Sequence, residues 1–453
     1  MCGVFGIYSK DDNYHVSQEI YDGLITLQHR GHDACGICTY NSRFHLKKGK
    51  GFVRDVFDNR NMRRLTGPVG IGHIRYATVG AGGVEDAQPF ITHSPYGISM
   101  VHNGNLTNYT ALKAELFKKD LRVIDSGCDV EVILAVFSEE MRKHKKNGSI
   151  QSQVYKAVQG VFKRCKGAYS VVGFIAGHGM FAFRDPYGIR PLIYGSRGKG
   201  KKRDYVFASE SVMFNMLGVD YIDDVEPGEC IFIDKNRELH KKQVSPSKSH
   251  PCIFEYIYFA RPDSIENNIS VYKARLRMGE MLAQRIKSLD EELDIDVVIP
   301  APSTSNTAAL ACAHELGVKY REGLVKNHFI GRTFIMPGQG RRQKSVKYKL
   351  NPQPLEIKRK NILLIDDSIV RGNTSREIIK MLREAGARKV YFAIASPPVI
   401  GTCPYGIDMP TFAELIASKK SIKEIEKQIG ADLLIYQTLE DLKKAVWVKK
   451  AKF

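Results

Sequence analysis

Short apolar runs, separated by turns rich in glycine, asparagine and aspartate, recur through the first half of the chain. Two longer segments, Ser17–Gln28 and Asp129–Arg142, instead repeat their apolar residues at helical spacing. We therefore predict an α+β domain over residues 2–235, in which mostly antiparallel sheets are flanked by helices. The runs with the length and residue types of β-strands are Val4–Tyr8, Val69–His73, Ile98–His102, Tyr169–Ile175 and Gly179–Arg184.

The second half alternates strands of the fully buried type with helices. This order predicts an α/β domain with a mostly parallel sheet over residues 251–453, ending in a helical tail. Ligands of such sheets bind beyond the carboxyl ends of the strands. The polar stretch Lys241–His250 is interpreted as a linker, with an ordinary loop as the alternative. The strand-like runs are Asp296–Pro300, Asn361–Asp366 and Val390–Ala395, and the helical segments are Thr307–Leu316 and Thr374–Ala385.

The composition fits a globular enzyme in a reducing compartment. The 453 residues, 43% hydrophobic and 26% charged, are enough for two domains. We expect no membrane span, because no apolar run reaches about 18 residues. The nine scattered cysteines favour reduced thiols and a cytoplasmic location. The net charge of +19, with basic residues concentrated in Arg321–Lys349 and Lys443–Lys452, fits either an anionic ligand or an ordinary solvated surface.

Cys2 is a candidate nucleophile. The small side chain at position 2 permits removal of Met1, which would leave a cysteine with a free α-amine. Because such an amine titrates near about pH 8, it can act as the general base for its own thiol. A cysteine at position 2 is weak evidence by itself, since a small residue there is often incidental.

Three later motifs offer what glutamine hydrolysis at such a cysteine needs. The reaction requires a cation for the α-carboxylate of glutamine, an anion for its α-ammonium group and hydrogen-bond donors for the oxyanion. Arg75, which follows a predicted strand, is the candidate cation, and Asp129, at a predicted helix start, is the candidate anion. The Asn103–Gly104 pair, predicted to lie in a tight turn, would supply the donors.

These residues lie in strings that resemble the class II glutamine amidotransferase domain: CGVFGI, LQHRGHDACGI, GHIRYATVG, HNGNLTN and CDVEVI. The resemblance implies an αββα layered fold of the N-terminal nucleophile type. It also implies that glutamine acylates Cys2 and that ammonia is released internally. Cys35 and Cys38 form a CxxC inside one of these strings, but there is no second CxxC, so we assign them no metal or redox role.

The strongest motif is NILLIDDSIVRGNTS, at Asn361–Ser375. Its pattern predicts a buried strand that ends in the acidic pair Asp366 and Asp367, followed by a glycine-containing loop and a helix. Thr374 and Glu377 have the spacing of a capping box at the start of that helix. Backbone amides at a helix N-terminus bind phosphate well, and paired carboxylates suit ribose hydroxyls or hydrated Mg²⁺.

This motif resembles the loop of type I phosphoribosyltransferases that binds phosphoribosyl diphosphate (PRPP). The resemblance implies that Asp366 and Asp367 hold the ribose hydroxyls, directly or through one Mg²⁺ per subunit. Thr304, in the loop after the preceding strand, matches the family's metal-binding position. The residues implied to hold the 5-phosphate are Ser368, Arg371, Gly372, Asn373 and Thr374.

The segment between these two loops, at 325–346, is basic and contains glycine, which suits either a loop that binds a pyrophosphate leaving group or a solvated surface. The family resemblance implies that this segment is a flexible loop that closes on PRPP. Lys326 and Arg332 match the family and are the candidate PRPP-binding residues of this loop. His328 and Phe329 depart from its usual Asn-Arg-Tyr, so the roles of that arginine and tyrosine are in doubt here.

A class II glutaminase joined to a PRPP-binding domain resembles the glutamine–PRPP amidotransferase family. The resemblance implies the first committed step of de novo purine synthesis, in which glutamine, PRPP and water give 5-phosphoribosylamine, glutamate and pyrophosphate. It also implies a homo-oligomer, a dimer or a tetramer, inhibited by purine nucleotides. Some members bind a 4Fe–4S cluster through four cysteines. Only Cys252 and Cys403 match, because the CxxC that supplies the other two has no counterpart here, so we expect no cluster.

Two other functions are compatible with part of the sequence. A sugar-phosphate aminotransferase similar to glucosamine-6-phosphate synthase would explain the glutaminase motifs but not the loop at Asp366–Ser375. A PRPP-sensing regulator that binds DNA is weakly favoured by the net charge. The combination of Cys2, Arg75, Asn103 and Asp129 instead favours an enzyme that binds no nucleic acid.

Overall fold

The first strand, β1 (Gly3–Tyr8), is buried along its whole length because apolar side chains project from both of its faces. Phe5 and Ile7 belong to one hydrophobic core, and Val4 and Tyr8 belong to another. Successive side chains of a strand point to opposite faces of the sheet. The sheet that contains β1 therefore needs a covering layer on each side.

The computed structural model describes residues 1–76, 83–145, 148–199, 203–327, 349–407, 409 and 411–446. The chain divides into two units. The first unit comprises Met1–Cys252, Asp263–Asn268 and Cys403–Asp408. The second unit comprises Ile253–Pro262, Ile269–Thr402 and Met409–Phe453.

The first unit contains two antiparallel sheets with the strand orders β11-β9-β10-β1-β4-β2-β3 and β13-β12-β8-β7-β6-β5. The strands after β1 are β2 (Ala34–Tyr40), β3 (Phe44–Lys50), β4 (Val69–Arg75), β5 (Phe90–Thr92), β6 (Ile98–Leu106), β7 (Gly167–Ile175), β8 (Gly179–Arg184), β9 (Ile193–Arg197), β10 (Asp204–Ala208), β11 (Asp220–Asp224), β12 (Glu229–Asp234), β13 (Leu239–Gln243) and the short β14 (Ile265–Glu266).

The helices of the first unit cover the outer faces of the two sheets. They are α1 (Ser17–Thr26), α2 (Val53–Val56), α3 (Asn59–Met62), α4 (Tyr109–Lys119), α5 (Asp129–His144), α6 (Ile150–Arg164) and α7 (Phe214–Leu217), with a short 3₁₀ turn at Gln28–Arg30. Side chains of α1 pack on the first sheet, those of α4, α5 and α6 pack on the second, and a third core joins the two sheets face to face. The layers are therefore αββα, as predicted.

The second unit is built on a parallel sheet with the strand order β17-β16-β20-β21-β22. Its strands are β15 (Ile269–Ser270), β16 (Val297–Pro300), β17 (Lys319–Tyr320), β18 (Leu324–Lys326), β19 (Leu350–Pro352), β20 (Asn361–Asp366), β21 (Lys389–Ile394) and β22 (Leu433–Tyr436). Its helices are α8 (Val271–Lys287), α9 (Asn306–Leu316), α10 (Pro354–Ile357), α11 (Asn373–Glu384), α12 (Ile422–Ile429) and α13 (Leu439–Val446), with short turns at Glu255–Phe259 and Phe412–Glu414.

Both faces of this parallel sheet are buried. Ile362 and Leu364 of β20 pack in one core with α11 and α12, whereas Leu363 and Ile365 pack in another with α8 and α9. This explains why β20 is an uninterrupted apolar run rather than an alternating one. The predicted α/β architecture of the second half is therefore confirmed. Within the described ranges, every helix is too short or too polar to cross a lipid bilayer.

The predicted linker at Lys241–His250 is partly wrong. Lys241, Lys242 and Gln243 belong to β13, where they pair with Ile231, Cys230 and Glu229 of β12. Because β13 is the edge strand of its sheet, its exposed side chains are polar, and charged residues are common on exposed edges. The segment therefore resembles a loop in composition although its first three residues are paired backbone.

Candidate active site

Cys2 lies directly before β1, and β1 is the central strand of the first sheet. The antiparallel register pairs Gly3 with Ile74, so Cys2 lies beside the end of β4, where Arg75 is the last strand residue. The Cys2 thiol is 3.8 Å from the backbone carbonyl of Tyr76. The predicted nucleophile and the predicted carboxylate clamp therefore occupy one end of the same sheet.

Asn103 is held against Cys2 by its side-chain amide. The backbone N–H of Cys2 donates to Oδ1 of Asn103 over 3.3 Å. Since Oδ1 accepts this bond, Nδ2 points the other way, and it is buried without a hydrogen-bond partner among the described residues. A buried amide donor without a partner costs free energy unless a ligand satisfies it. Its place beside a thiol suits a developing oxyanion.

The turn predicted for Asn103 and Gly104 is wrong, because both residues lie within β6 and pair with Ser170 and Tyr169 of β7. Gly104 has φ of +155°, and a Cβ on it would lie 1.9 Å from the carbonyl oxygen of Ala168. Only glycine fits so close to the neighbouring strand. Glycine and asparagine favour turns locally, but here pairing and burial override that preference.

Arg75 is buried and forms an ion pair with Asp86, with Nη2 and Oδ2 3.4 Å apart. The other oxygen of Asp86 accepts the backbone N–H of Gly127 over 2.8 Å. Gly127 precedes α5 by two residues, and α5 begins at Asp129, as predicted. One carboxylate therefore links the predicted cationic clamp to the segment that carries the predicted anionic clamp.

Asp129 is held by His102 and by the backbone of β6. Its Oδ2 accepts the N–H of Leu106 over 2.8 Å, and its Oδ1 is 3.1 Å from Nε2 of His102. Burial alone would raise the pKa of Asp129, but His102 and the hydrogen bonds outweigh it and hold that pKa below its ordinary value. The side chain is 13% exposed, so an ionised carboxylate remains within reach of a ligand.

Gln88 determines which nitrogen of His102 carries the proton. The Oε1 of Gln88 must accept the backbone N–H of His102, 2.7 Å away, so its Nε2 donates to Nδ1 of the ring over 3.0 Å. The ring proton then lies on Nε2, facing Asp129. His73 Nε2, in turn, is 3.2 Å from the carbonyl of His102. Burial, reinforced by His102 and Arg75, lowers the pKa of His73 well below its ordinary value.

In the second unit, the predicted acidic pair lies at the carboxyl end of β20. Oδ1 of Asp366 accepts the Ser305 hydroxyl over 3.1 Å and the Asp367 N–H over 2.8 Å. Oδ1 of Asp367 accepts the Ser368 hydroxyl over 2.7 Å. Burial, with the charge of Asp367, raises the pKa of Asp366 well above its ordinary value, and burial raises the pKa of Asp367 to about 6.

The loop after β16 meets this pair because β16 and β20 are parallel neighbours. Besides Ser305, the loop contains Thr304, and its Ser303 hydroxyl is 3.5 Å from Nζ of Lys326 at the end of β18. Carboxylate and hydroxyl oxygens are ligands that Mg²⁺ prefers. The two carboxylates, whose ionised forms burial disfavours, also gain from a nearby divalent cation. The donor set therefore fits the predicted metal.

The predicted phosphate loop runs from Ser368 to the start of α11. Gly372 has φ of +76° and is the N-cap residue of α11, and a Cβ on it would lie 2.4 Å from Cδ1 of Ile416. The predicted capping box at Thr374 is therefore wrong, because the N-cap lies two residues earlier, at Gly372, and the helix has no side-chain cap. Arg371 points to Glu414, with Nε and Oε1 3.3 Å apart.

Comparisons with known proteins all point to one family. Residues 73–216 match the glutamine amidotransferase domain family. The amidophosphoribosyltransferase of Pseudomonas aeruginosa is 51% identical, and the alignment covers 100% of this chain and 90% of that protein. The one from Saccharomyces cerevisiae is 47% identical over 98% of this chain and 88% of that protein. The solved glutamine PRPP amidotransferase of B. subtilis, complexed with ADP and GMP, is 38% identical and superimposes with a TM-score of 0.85 over 98% of this chain and 92% of that one.

The chain belongs to the amidophosphoribosyltransferase family. Amidophosphoribosyltransferases are transferases of purine biosynthesis, so the chain is an enzyme that joins glutamine amidotransferase and phosphoribosyltransferase activities. The predicted family, enzyme class and fold are confirmed, and the sugar-phosphate aminotransferase and the DNA-binding regulator are set aside.

The sequence predicts several residues of the candidate active site, but it does not predict the side chains that hold them in place. Asp86, Gln88 and His102 lie far apart in sequence from the side chains that they hold, and no local motif marks Asp86 or Gln88. Arg30 lies in the string LQHRGHDACGI, and Glu210 lies between Ser209 and Ser211. A charged residue among apolar and small neighbours is a signal that could have identified both. Arg332, His328 and Phe329 lie outside the described residues.

Four other cysteines of the chain differ in accessibility. Cys35 and Cys38 are buried on β2, and burial raises the pKa of each thiol to about 12, so neither is a reactive thiolate. Cys252 and Cys403 are half-buried. Among the residues that the structure describes, neither belongs to a convergent group of three or more His, Cys, Asp or Glu side chains. The expectation that they hold no cluster stays a prediction, testable by iron and sulfide analysis of anaerobically purified protein.

Proposed function

We propose that the chain converts glutamine, PRPP and water into 5-phosphoribosylamine, glutamate and pyrophosphate, with the first unit as the glutaminase and the second as the phosphoribosyltransferase. The observation that carries the glutaminase half is the amide of Asn103. Its Oδ1 holds the nitrogen of Cys2, and its Nδ2 is a buried donor without a partner among the described residues. A donor that is already fixed beside the nucleophile lowers the barrier, since it needs no reorganisation during the reaction.

Cys2 would act as the nucleophile once Met1 is removed. The freed α-amine would take the thiol proton, and Sγ would form a bond to the amide carbon of glutamine. The C–N bond would then break, with the proton passing from the amine to the leaving ammonia. Water would hydrolyse the thioester to release glutamate. The 3.3 Å contact between the Cys2 nitrogen and Oδ1 of Asn103 would keep the amine beside its own thiol.

The other predicted residues would position glutamine. Arg75, oriented by Asp86, would bind the α-carboxylate, and Asp129, kept ionised by His102, would bind the α-ammonium group. The N–H of Gly104 would join Nδ2 of Asn103 as an oxyanion donor. Two charged clamps and an oxyanion site fix the substrate at three points, which is how an enzyme selects an amino acid side chain for attack.

The second unit would bind PRPP at the carboxyl end of its parallel sheet. Asp366, Asp367 and Thr304 would hold Mg²⁺, which, when bound, screens the negative charge of the pyrophosphate. Ser368 and the segment Arg371–Thr374 would hold the 5-phosphate with side chains and with the free amides of α11. Lys326 and Arg332 would bind the pyrophosphate. Ammonia from the glutaminase would attack C1 of the ribose as pyrophosphate leaves.

We also propose the setting in which this enzyme works. It is a cytoplasmic homo-oligomer, a dimer or a tetramer, that uses no nucleic acid or membrane partner. Purine nucleotides inhibit it. This is supported by the B. subtilis relative, which was solved with ADP and GMP. The nine scattered cysteines also favour a reducing compartment.

Pyrophosphate release from PRPP tests this function, with glutamine or ammonia as the nitrogen source. We expect release with either source, dependent on Mg²⁺, and no amination of fructose 6-phosphate when that sugar phosphate replaces PRPP as acceptor. Glutamine hydrolysis coupled to amination of fructose 6-phosphate would contradict the proposal. Release with ammonia but not with glutamine would overturn the glutaminase half alone.

A further inference from the structure

Glu210 is a buried carboxylate that joins three segments of the first unit. Its Oε1 accepts Nη1 of Arg30 over 2.5 Å and lies 2.7 Å from Nε2 of His29. Its Oε2 accepts the hydroxyl of Ser264 over 2.6 Å. The side chains of Arg30 and Glu210 have no exposed surface. A fully buried ion pair is costly to break, because removing one partner leaves the other charge without compensation.

The partner of Glu210 also holds the nucleophile. Nε of Arg30 donates to the backbone carbonyl of Cys2 over 2.9 Å. A guanidinium group is planar and rigid, so fixing Nη1 on Glu210 also fixes the direction of Nε. The carbonyl of Cys2 belongs to the same residue as Sγ and the α-nitrogen. The position of Glu210 therefore sets the orientation of the backbone from which the thiol projects.

Ser209, which precedes Glu210, contacts β1, the strand that directly follows Cys2. The hydroxyl of Ser209 accepts the N–H of Val4 over 3.0 Å, and the N–H of Ser209 donates to the carbonyl of Val4 over 3.1 Å. Val4 is two residues after Cys2. Ser211, which follows Glu210, accepts the N–H of Ile265 over 2.9 Å through its hydroxyl oxygen. Residues 209–211 thus hold the start of β1 on one side and the segment with Ser264 and Ile265 on the other.

The charge of Glu210 is maintained by its neighbours. Burial alone would raise its pKa, but His29, Arg30 and the hydrogen bonds from His29 and Ser264 together hold the pKa well below its ordinary value. The carboxylate is therefore ionised throughout the range in which a thiol nucleophile works. An amide in its place would keep the shape but lose the charge that orients Arg30.

We propose that Glu210 is a positioning residue of the glutaminase, which acts through Arg30 on the backbone of Cys2, and that Ser264 fixes the carboxylate from the opposite side. The inference rests on the proposed role of Cys2. The contacts of Glu210 described above are to His29, Arg30 and Ser264, none of which is proposed to bind glutamine, so the proposed role affects the rate of attack and not the affinity for substrate.

The test compares Glu210→Gln with Glu19→Gln. Glu19 is a matched control, because it is also a buried glutamate of the first unit, paired with Arg197 at 2.5 Å, but none of its described contacts is to Cys2 or Arg30. Both variants are assayed for glutamine-dependent synthesis, for ammonia-dependent synthesis, which bypasses the glutaminase, and for the rate at which 6-diazo-5-oxo-L-norleucine alkylates Cys2. Ser264→Ala and Ser264→Thr form a second pair, of which only Thr keeps the hydroxyl.

For Glu210→Gln we expect kcat with glutamine and the alkylation rate to fall by about tenfold to 100-fold, as misplacement of a nucleophile does. The KM for glutamine and ammonia-dependent synthesis should stay within about twofold, and Glu19→Gln should match the wild type. Ser264→Ala should give a smaller loss that Ser264→Thr restores. Equal losses in the two Glu→Gln variants, or a raised KM with unchanged kcat, would overturn the inference.

Cys2→Ser separates the two proposals. If this variant retains glutamine-dependent synthesis, the proposed nucleophile is wrong. If it loses that activity while Glu210→Gln is unaffected, only the positioning role is refuted.

Discussion

Asn103 accepts the backbone N–H of Cys2 through Oδ1 at 3.3 Å, and its buried Nδ2 has no partner among the described residues. One amide thus faces the nucleophile with its oxygen and the place of the oxyanion with its nitrogen. Asn103→Ala removes both functions, and Asn103→Asp keeps an acceptor but loses the donor. We predict that either change lowers kcat with glutamine by about 100-fold to 1000-fold, the usual cost of one oxyanion donor.

Ammonia-dependent synthesis is the control for these variants, and it should be unchanged because the lost donor serves only the glutaminase. An Asn103→Asp enzyme that keeps glutamine-dependent kcat would show that Nδ2 does not stabilise the oxyanion.

The ion pair between Arg75 and Asp86 predicts an effect on substrate affinity. Asp86→Asn removes the charge that orients Arg75, so we expect the KM for glutamine to rise about tenfold, equivalent to about 1.4 kcal/mol, with a smaller change in kcat. Asp204→Asn is the matched control, because Asp204 is a buried partner of Arg197 in the same unit. A KM that rises equally in both variants would point to general loosening of the fold.

The acidic pair of the second unit, Asp366 and Asp367, predicts a loss of activity that does not involve the glutaminase. Asp366→Asn and Asp367→Asn should each reduce ammonia-dependent synthesis by at least about 100-fold, because they remove charges that the proposed Mg²⁺ site requires. Asp296→Asn is the control, since Asp296 lies at the amino end of the same sheet. Normal Mg²⁺ dependence in Asp366→Asn would refute the assignment of that carboxylate to the metal.

His73 predicts a pH dependence of stability. Its pKa in the folded protein lies well below the ordinary 6.5, first because the ring is buried. The unfolded chain therefore binds a proton that the folded protein excludes, so the stabilising effect of neutral His73 is complete above pH 6.5 and is lost as the pH falls below it.

The free energy of unfolding, measured by denaturant titration, should fall below pH 6.5 by up to about 1.4 kcal/mol per pH unit from this group. His73→Gln should show a shallower fall than the wild type. His93→Gln, at an exposed position, should keep the wild-type slope. Identical slopes in all three proteins would mean that His73 is not the group responsible.

Sequence patterns predict the structure correctly where the local residue types favour the same structure as the whole fold. Asp366 and Asp367 follow the apolar run Ile362–Ile365, whose length is typical of a buried strand, and Asp129 begins a helix whose apolar spacing is regular. The sheets and flanking helices of the first unit were predicted from pattern, while their αββα order was implied by the family resemblance and fits strands such as β1, whose side chains are apolar on both faces. In each of these cases, a short stretch of sequence contains the whole signal.

The remainder depends on contacts between distant segments. Asp86 reaches Arg75 and Gly127, and Glu210 reaches Arg30, only because strands pair and sheets stack. The error at Asn103 and Gly104 has the opposite cause, since their turn-like residue types are overridden by pairing with β7. Lys241 was assigned to a linker because an exposed edge strand has the polarity of a loop.

The Cys2→Ser variant, assayed for 5-phosphoribosylamine formation from PRPP with glutamine and separately with ammonia, tests the central claim most directly. The account predicts that glutamine-dependent synthesis is abolished, because a hydroxyl is a far weaker nucleophile than a thiol, while ammonia-dependent synthesis stays at the wild-type rate. Loss of both activities, or of neither, would contradict the division of the reaction between Cys2 and the PRPP site.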